Sequence, residues 1–144
     1  MISKAMRDNE DCRNLFSDRD DPVTILKNMA SNSDPGHGQI RFDRSIGTDA
    51  ITDPKQKSGH WNDSLGTWLY PDVDIVINSG TAASGYWLQT GAVERARMLL
   101  HELGHVFEFR FGKDSTAFRI DARPDGTANM DIQKANQALE RKCF

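Results

Sequence analysis

Twenty residues from Ala92 to Phe111 contain no proline and a single glycine, Gly104. Within them Val93, Ala96, Leu99, Leu100, Leu103 and Phe107 recur at i, i+3 and i+4 spacing, which predicts an amphipathic helix of about five turns. Gly91 precedes the segment, and Gly112 followed by Lys113-Asp114-Ser115 marks its stop. A chain of 144 residues has room for one core, and a helix this long requires that core to lie along its apolar side. Placed at about 100° per residue, His101 and His105 fall opposite the apolar stripe, beside Glu94, Arg97 and Glu108.

The helix therefore presents His101-Glu102-Leu103-Gly104-His105 on its polar side, in the order H-E-x-x-H. Residues four apart sit one turn above each other, so the two imidazoles can share one metal at about 2.0–2.1 Å per Zn–N bond. On a strand four residues span too far. Such a string arises by chance in roughly one chain in a few hundred of this length. A chance match would not usually place both histidines opposite the core stripe of a clean helix.

A catalytic zinc takes three protein ligands and leaves its fourth position to water. The metzincin extension is absent, since Glu108 stands where glycine is required and Phe111 where a third histidine would be. The other histidines, His37 and His60, stand far upstream in glycine-containing segments and read as loop or substrate-facing residues. Carboxylates after the helix are favoured: Asp114, Asp121, Asp125 and Asp131. Asp114 lies too near the helix end and reads as a capping or turn residue. Pro124-Asp125-Gly126 is a strong turn signal that can lift a carboxylate back toward the imidazoles. Asp125 thus ranks first as third ligand, Asp121 second and Asp131 third.

Elsewhere, Ser3 to Phe16 reads as a polar helix with Ala5, Met6, Cys12, Leu15 and Phe16 as its apolar side. Asp21 and Pro22 form an N-cap and N1 pair for a helix to about Ala30. Gln39 to Asp43 and Val73 to Asn78 read as strands, and Ser45 to Gly66 as a long loop. A final helix, capped by Asn129, runs to about Lys142 with Ile132, Ala135, Leu139 and Cys143 at helical spacing. Asn136 joins that apolar side, where it would brace the third-ligand loop or a ligand imidazole.

With 38% apolar and 27% charged residues the chain reads as one globular domain, residues 1–144. A net charge of −3 without a basic stripe argues against nucleic acid as a partner. No apolar run approaches a membrane span, and the start Met1-Ile2-Ser3-Lys4 lacks the apolar core of a signal peptide, so export would be encoded elsewhere.

Taken together, His101-Glu102-Leu103-Gly104-His105, the downstream Asp-Gly loop, Asn136, Cys12, Cys143 and the Asp21-Pro22-Val23-Thr24-Ile25-Leu26 helix start resemble small zincin-like domains. Such domains stand at the ends of bacterial cell-surface and YD-repeat (RHS-like) proteins. The resemblance covers the C-terminal third well and the first thirty residues loosely. It implies an α+β fold with a central HExxH helix, a short small sheet, further helices at both ends and long loops. It also implies a zinc peptidase whose third ligand is an aspartate or glutamate. The strand before the metal helix would then lie at the edge of the sheet and pair with an extended substrate, with Tyr86 and Trp87 as a pocket wall. An ordinary core strand and ordinary aromatic packing are the alternatives.

The two cysteines near opposite ends fit a disulfide on spacing and resemblance, which favours a secreted or cell-surface setting. The expected reaction is peptide hydrolysis, with Zn2+ acidifying a water and Glu102 as general base. An oxyanion donor is not singled out among His60, Tyr70, Tyr86 and Arg119. The alternative is a catalytically silent, metal-stabilised binding module or the effector tip of a larger secreted protein. Retention of Glu102 favours turnover, because a structural zinc site has no use for that carboxylate and closes its fourth position with a protein ligand. The expected partner is a protein or peptide substrate, and the expected state a monomer.

Overall fold

In the computed structural model, which describes residues 9–16, 19–80, 90–112 and 130–144 with side chains in the last helix from Gln137 onward, helices α1 (Glu10–Arg13) and α2 (Pro22–Ser31) lead into strands β1 (Ile40–Asp43) and β2 (Ala50–Pro54). A 3₁₀ turn (Gln56–Ser58), strands β3 (His60–Asn62), β4 (Thr67–Leu69) and β5 (Val73–Asn78), and helices α3 (Ala92–Phe111) and α4 (Met130–Cys143) follow. The architecture is mixed α+β.

Strand β5 is the centre of a three-stranded sheet in the order β1-β5-β2. It runs parallel to β1, with Ile40 opposite Ile75, and antiparallel to β2, with Thr52 opposite Ile75. Every residue of β5 is buried. Of the two readings of this strand, sheet edge or ordinary core strand, the structure shows the core strand, and β1 and β2 hold the edges. The physical reason is that both faces of β5 are covered, which suits a run rich in valine and isoleucine to the middle of a sheet.

The stretch 45–66, expected as a loop, contains β2, the 3₁₀ turn and β3. These elements are three to five residues long and interrupted by Pro54, Gly59 and Asp63, so their local signal is weak. Pairing partners distant in sequence stabilise them. Strands β3 and β4 form a separate antiparallel hairpin, with Trp61 opposite Trp68.

The N-terminal helix is also shorter at its C-terminal end than expected. Asn9 caps it, its side chain accepting from the Cys12 amide, and helix α1 ends at Arg13. A tight turn then donates the Leu15 amide to the Cys12 carbonyl and the Phe16 amide to that of Arg13. This turn buries both Leu15 and Phe16. Helix α2 begins as expected at Pro22, one residue beyond the expected cap, Asp21. The Asp21 carboxylate accepts from Arg13 at 2.7 Å and from the Thr24 hydroxyl at 2.8 Å, tying α1 to α2.

Helix α3 lies across one face of the sheet. Leu100, Leu103, Val106 and Phe107 meet Val73, Ile75 and Ile77 in a core completed by Val23, Ile25, Leu26 and Met29 of α2. Phe16 packs on Phe107 with ring centroids 5.2 Å apart. A disulfide joins Cys12 to Cys143, and Leu139 of α4 is buried in the same core. The bond is compatible with an extracellular setting. Among the described residues no helix is long and apolar enough to cross a membrane.

The opposite face of the sheet carries buried Val76 together with a satisfied polar network. Asp74, almost wholly buried, accepts from the Gln39 amide at 3.0 Å and from Arg41 Nε at 3.0 Å, with Lys55 Nζ 3.1 Å away. Arg41 also reaches Asp53, across the sheet from its own strand. The hydrogen bond with Asp74 holds the Lys55 ammonium above its ordinary range. Asn78 donates to the carbonyls of Ile46 and Thr48, both at 3.1 Å, fixing the turn before β2.

Two outcomes follow for stability. Replacing Cys12 and Cys143 by serine opens a loop spanning 131 positions and should cost up to about 5 kcal/mol, read as a lower urea midpoint than that of the oxidised protein. Asp74→Ala removes the acceptor of the Gln39 amide and of Arg41 Nε, leaves Arg41 and Lys55 to share Asp53, and should cost about 1–3 kcal/mol in the same measurement.

Candidate active site

Helix α3 spans the predicted residues, from Gly91 at its N-cap to Gly112, whose φ of 105° turns the chain out of the helix. That backbone conformation and the contact of Leu65 with the same position both favour glycine. The buried stripe is Ala96, Leu100, Leu103, Val106 and Phe107, together with Glu102. Val93, expected in the stripe, is exposed instead.

His101 and His105 are half-buried on one side of the helix, their ring centroids 5.2 Å apart and their planes inclined at 68°. Two imidazoles on one tetrahedral ion, each about 2.0–2.1 Å from it through nitrogen and roughly 1.1 Å further to the ring centre, would stand about 5 Å apart. The observed ring spacing is compatible with that separation. Glu108, one turn beyond, carries its carboxylate 3.7 Å from His105 Nδ1.

Glu102 is 8% exposed, an unusual position for a carboxylate. Its partner comes from the sheet. Thr52 lies opposite Ile75, which faces α3, so the Thr52 side chain points to the same side. Its hydroxyl donates to Glu102 Oε2 at 2.6 Å and lies 3.3 Å from the Glu102 carbonyl oxygen. A buried carboxylate without a donor is costly. Here edge strand β2 supplies that donor and fixes one carboxylate oxygen.

Glu102, Thr52, His105 and Glu108 line a cleft of about 570 Å³, and His101 is not part of its lining. Glu102, His105 and Glu108 form its helix side, Ala50 to Thr52 of β2 one flank, and Thr67, Trp68 and Tyr70 the other. The Tyr70 amide donates to the Phe109 carbonyl at 2.8 Å, and the two rings meet edge-on with centroids 5.9 Å apart. This contact anchors the β3–β4 hairpin to the end of α3. Tyr70, one of the four expected oxyanion donors, is thereby brought to the cleft. His60 is not: it begins β3, a strand rather than a loop, and is not among the residues that line the cleft. His37 lies in a turn beside Asp34, 3.0 Å from its carboxylate, in a small pocket with Arg110.

Asp114, Asp121, Asp125, Tyr86, Trp87, Arg119 and Asn129 lie outside the described residues. Asp131 and Asn136 fall within α4, but their side chains lie outside them as well. Among the described residues no group of three histidine, cysteine, aspartate or glutamate side chains is placed to hold a metal. The described part of the site is thus a histidine pair, a clamped carboxylate and an open cleft.

No family model, curated protein or solved structure matches this chain. The chemistry of the site must be argued from its own residues. Two of these, Thr52 and Trp68, escape a reading of the sequence. The β-branched Ile51-Thr52 pair is a faint strand signal, but nothing local to it points to Glu102, fifty residues away.

Thr52→Val preserves shape and removes the donor. It should lower stability by about 1–3 kcal/mol in urea unfolding, because Glu102 then loses a charge-assisted hydrogen bond, while Thr52→Ser keeps most of it.

Proposed function

We propose that this chain is a zinc-dependent peptidase of the zincin-like class, resembling the small domains at the ends of bacterial cell-surface and YD-repeat proteins. The observation that carries the reading is Glu102: a buried carboxylate, clamped by Thr52, opening into the cleft that His105 lines. A histidine pair serving only to staple the fold would need no such acid beside it.

His101 and His105 are the ligands from α3, and Asp125 is proposed as the third, ahead of Asp121 and Asp131. Zinc held there supplies an acidified water and a Lewis acid for the scissile carbonyl. The chain's own residues do the rest. Glu102 takes the proton from the attacking water and passes it to the leaving amine. Thr52 keeps the Glu102 carboxylate in one orientation through both transfers, and Glu108 stands beside His105. Tyr70 reaches the cleft and is the oxyanion donor best supported among the four considered. The edge of β2 offers its backbone to an extended peptide, a role the sequence had suggested for β5.

The substrate is a protein or peptide, and the site of action is the cell surface or beyond it, consistent with the Cys12–Cys143 bond.

Elemental analysis of purified protein should find one zinc per chain, lost in His105→Ala. Glu102→Gln should keep the metal and lower cleavage of a denatured protein mixture about 10²–10⁴-fold. Asp125→Ala should lose most of the zinc affinity; an unchanged affinity moves that role to Asp121. Full zinc occupancy without cleavage by the wild type would replace the peptidase with a metal-stabilised binding module.

A further inference from the structure

The β3–β4 hairpin leaves unusually large apolar side chains in water. Trp61 and Trp68 face each other across it, each about half exposed at 51% and 53%, and Leu65 in its turn is 45% exposed. Scattered exposed apolar residues need no explanation, but three clustered on one short hairpin mark a contact surface. The pair is held in place. The rings meet edge-on at 6.1 Å, and the Trp61 indole N–H donates to Asp63 at 2.8 Å, so Trp61, itself outside the cleft lining, packs against Trp68.

Trp68 itself lines the cleft that holds Glu102 and His105. The lining is divided by chemistry. Its carboxylates and imidazole all come from α3, whereas the wall built by Thr67, Trp68 and Tyr70 carries hydroxyls and aromatic carbon and no carboxylate, imidazole or ammonium. The volume of about 570 Å³ lies within the range of roughly 300–1,000 Å³ usual for ligand pockets. A metal and its water need only a small part of it.

We propose that this wall is a specificity subsite for one large apolar side chain, aromatic or branched aliphatic, carried by a polypeptide whose backbone lies along β2. The inference rests on the peptidase reading for the backbone's course, and it commits to a peptide for two reasons. Edge strand β2 flanks the same cleft and offers main-chain partners that only a polypeptide matches in register. The Trp68 wall lacks the carboxylate or amide side chains that would hold the hydroxyls of a sugar stacked on it. Selection acts through burial: an apolar side chain displaces water from Trp68 and Tyr70, while an acidic one loses its hydration facing the Glu102 and Glu108 carboxylates of the same cleft.

The test pairs cleavage with binding. Peptides varied at one position at a time are assayed for kcat/KM with the wild-type zinc protein, and for affinity with the zinc-loaded Glu102→Gln variant by tryptophan fluorescence. One position should prefer phenylalanine or leucine over glycine by about 10- to 200-fold, and aspartate should be rejected more strongly. Trp68→Ala should bring that preference close to unity with zinc content and circular dichroism unchanged. Trp68→Asp should redirect it toward lysine or arginine, a gain that misfolding cannot imitate. Absence of cleavage together with a Trp68-dependent apolar preference in binding would remove the peptidase reading and keep the subsite. Cleavage without an apolar preference, a preference indifferent to Trp68, or Trp68-dependent binding of an oligosaccharide in place of the peptides would overturn the subsite and leave the peptidase reading intact.

Discussion

The stacking of α3 on β5 is the contact on which the rest of this structure depends. Leu100, Leu103, Val106 and Phe107 are buried against Val73, Ile75 and Ile77, and each such side chain contributes about 1.5–3 kcal/mol on leaving water. No single polar interaction among the described residues approaches that sum. The apolar contact fixes the rotation of α3 about its axis, and the rotation decides what the opposite side of the helix shows. His101 and His105 are held toward solvent, and Glu102, between the two sides, is carried to within reach of β2.

Because the helix is set by its apolar side, the charged groups act as local adjustments with specific partners. Thr52 answers Glu102, Glu108 stands by His105, and Asp74 gathers Arg41 and Lys55 on the far side of the sheet. The two faces of β5 thus bear different loads. One supplies the apolar floor for the helix, and the other holds a buried acid that locks β1 to the residues following β2. The disulfide acts at longer range, joining the short helix α1 to the end of α4, so that both ends of the described chain pack on one core. The site then has a rigid wall on each side: a helix stacked on a sheet and a hairpin tied to the helix end through Tyr70 and Phe109.

Much of this is legible in the sequence where the signal is local. Helix α3 appears with its observed ends because apolar periodicity and flanking glycines are properties of consecutive residues. Helix α2 follows from Asp21-Pro22, and β1 and β5 from runs of alternating or β-branched residues. The misplaced features are those whose stability comes from a distant partner. Strand β2 looks like loop because Asp53 and Pro54 are poor strand formers, and it exists as a strand through pairing with β5. β5 looked equally suited to edge or centre, since a strand's place in a sheet is decided by which segments pair with it. Val93 satisfied the helical spacing yet is exposed, because spacing alone does not say how far along a helix the core extends.

The sequence by itself determined the helix, the two histidines one turn apart on it and the acid between them, because all three follow from the 3.6-residue repeat of a single segment. Only the tertiary structure decided that Thr52 clamps Glu102, that β2 holds the edge beside the cleft, and that Trp68 closes the opposite wall. Strand pairing and cleft formation join residues tens of positions apart. No short-range pattern encodes such a contact, since what brings the partners together is the burial of other residues.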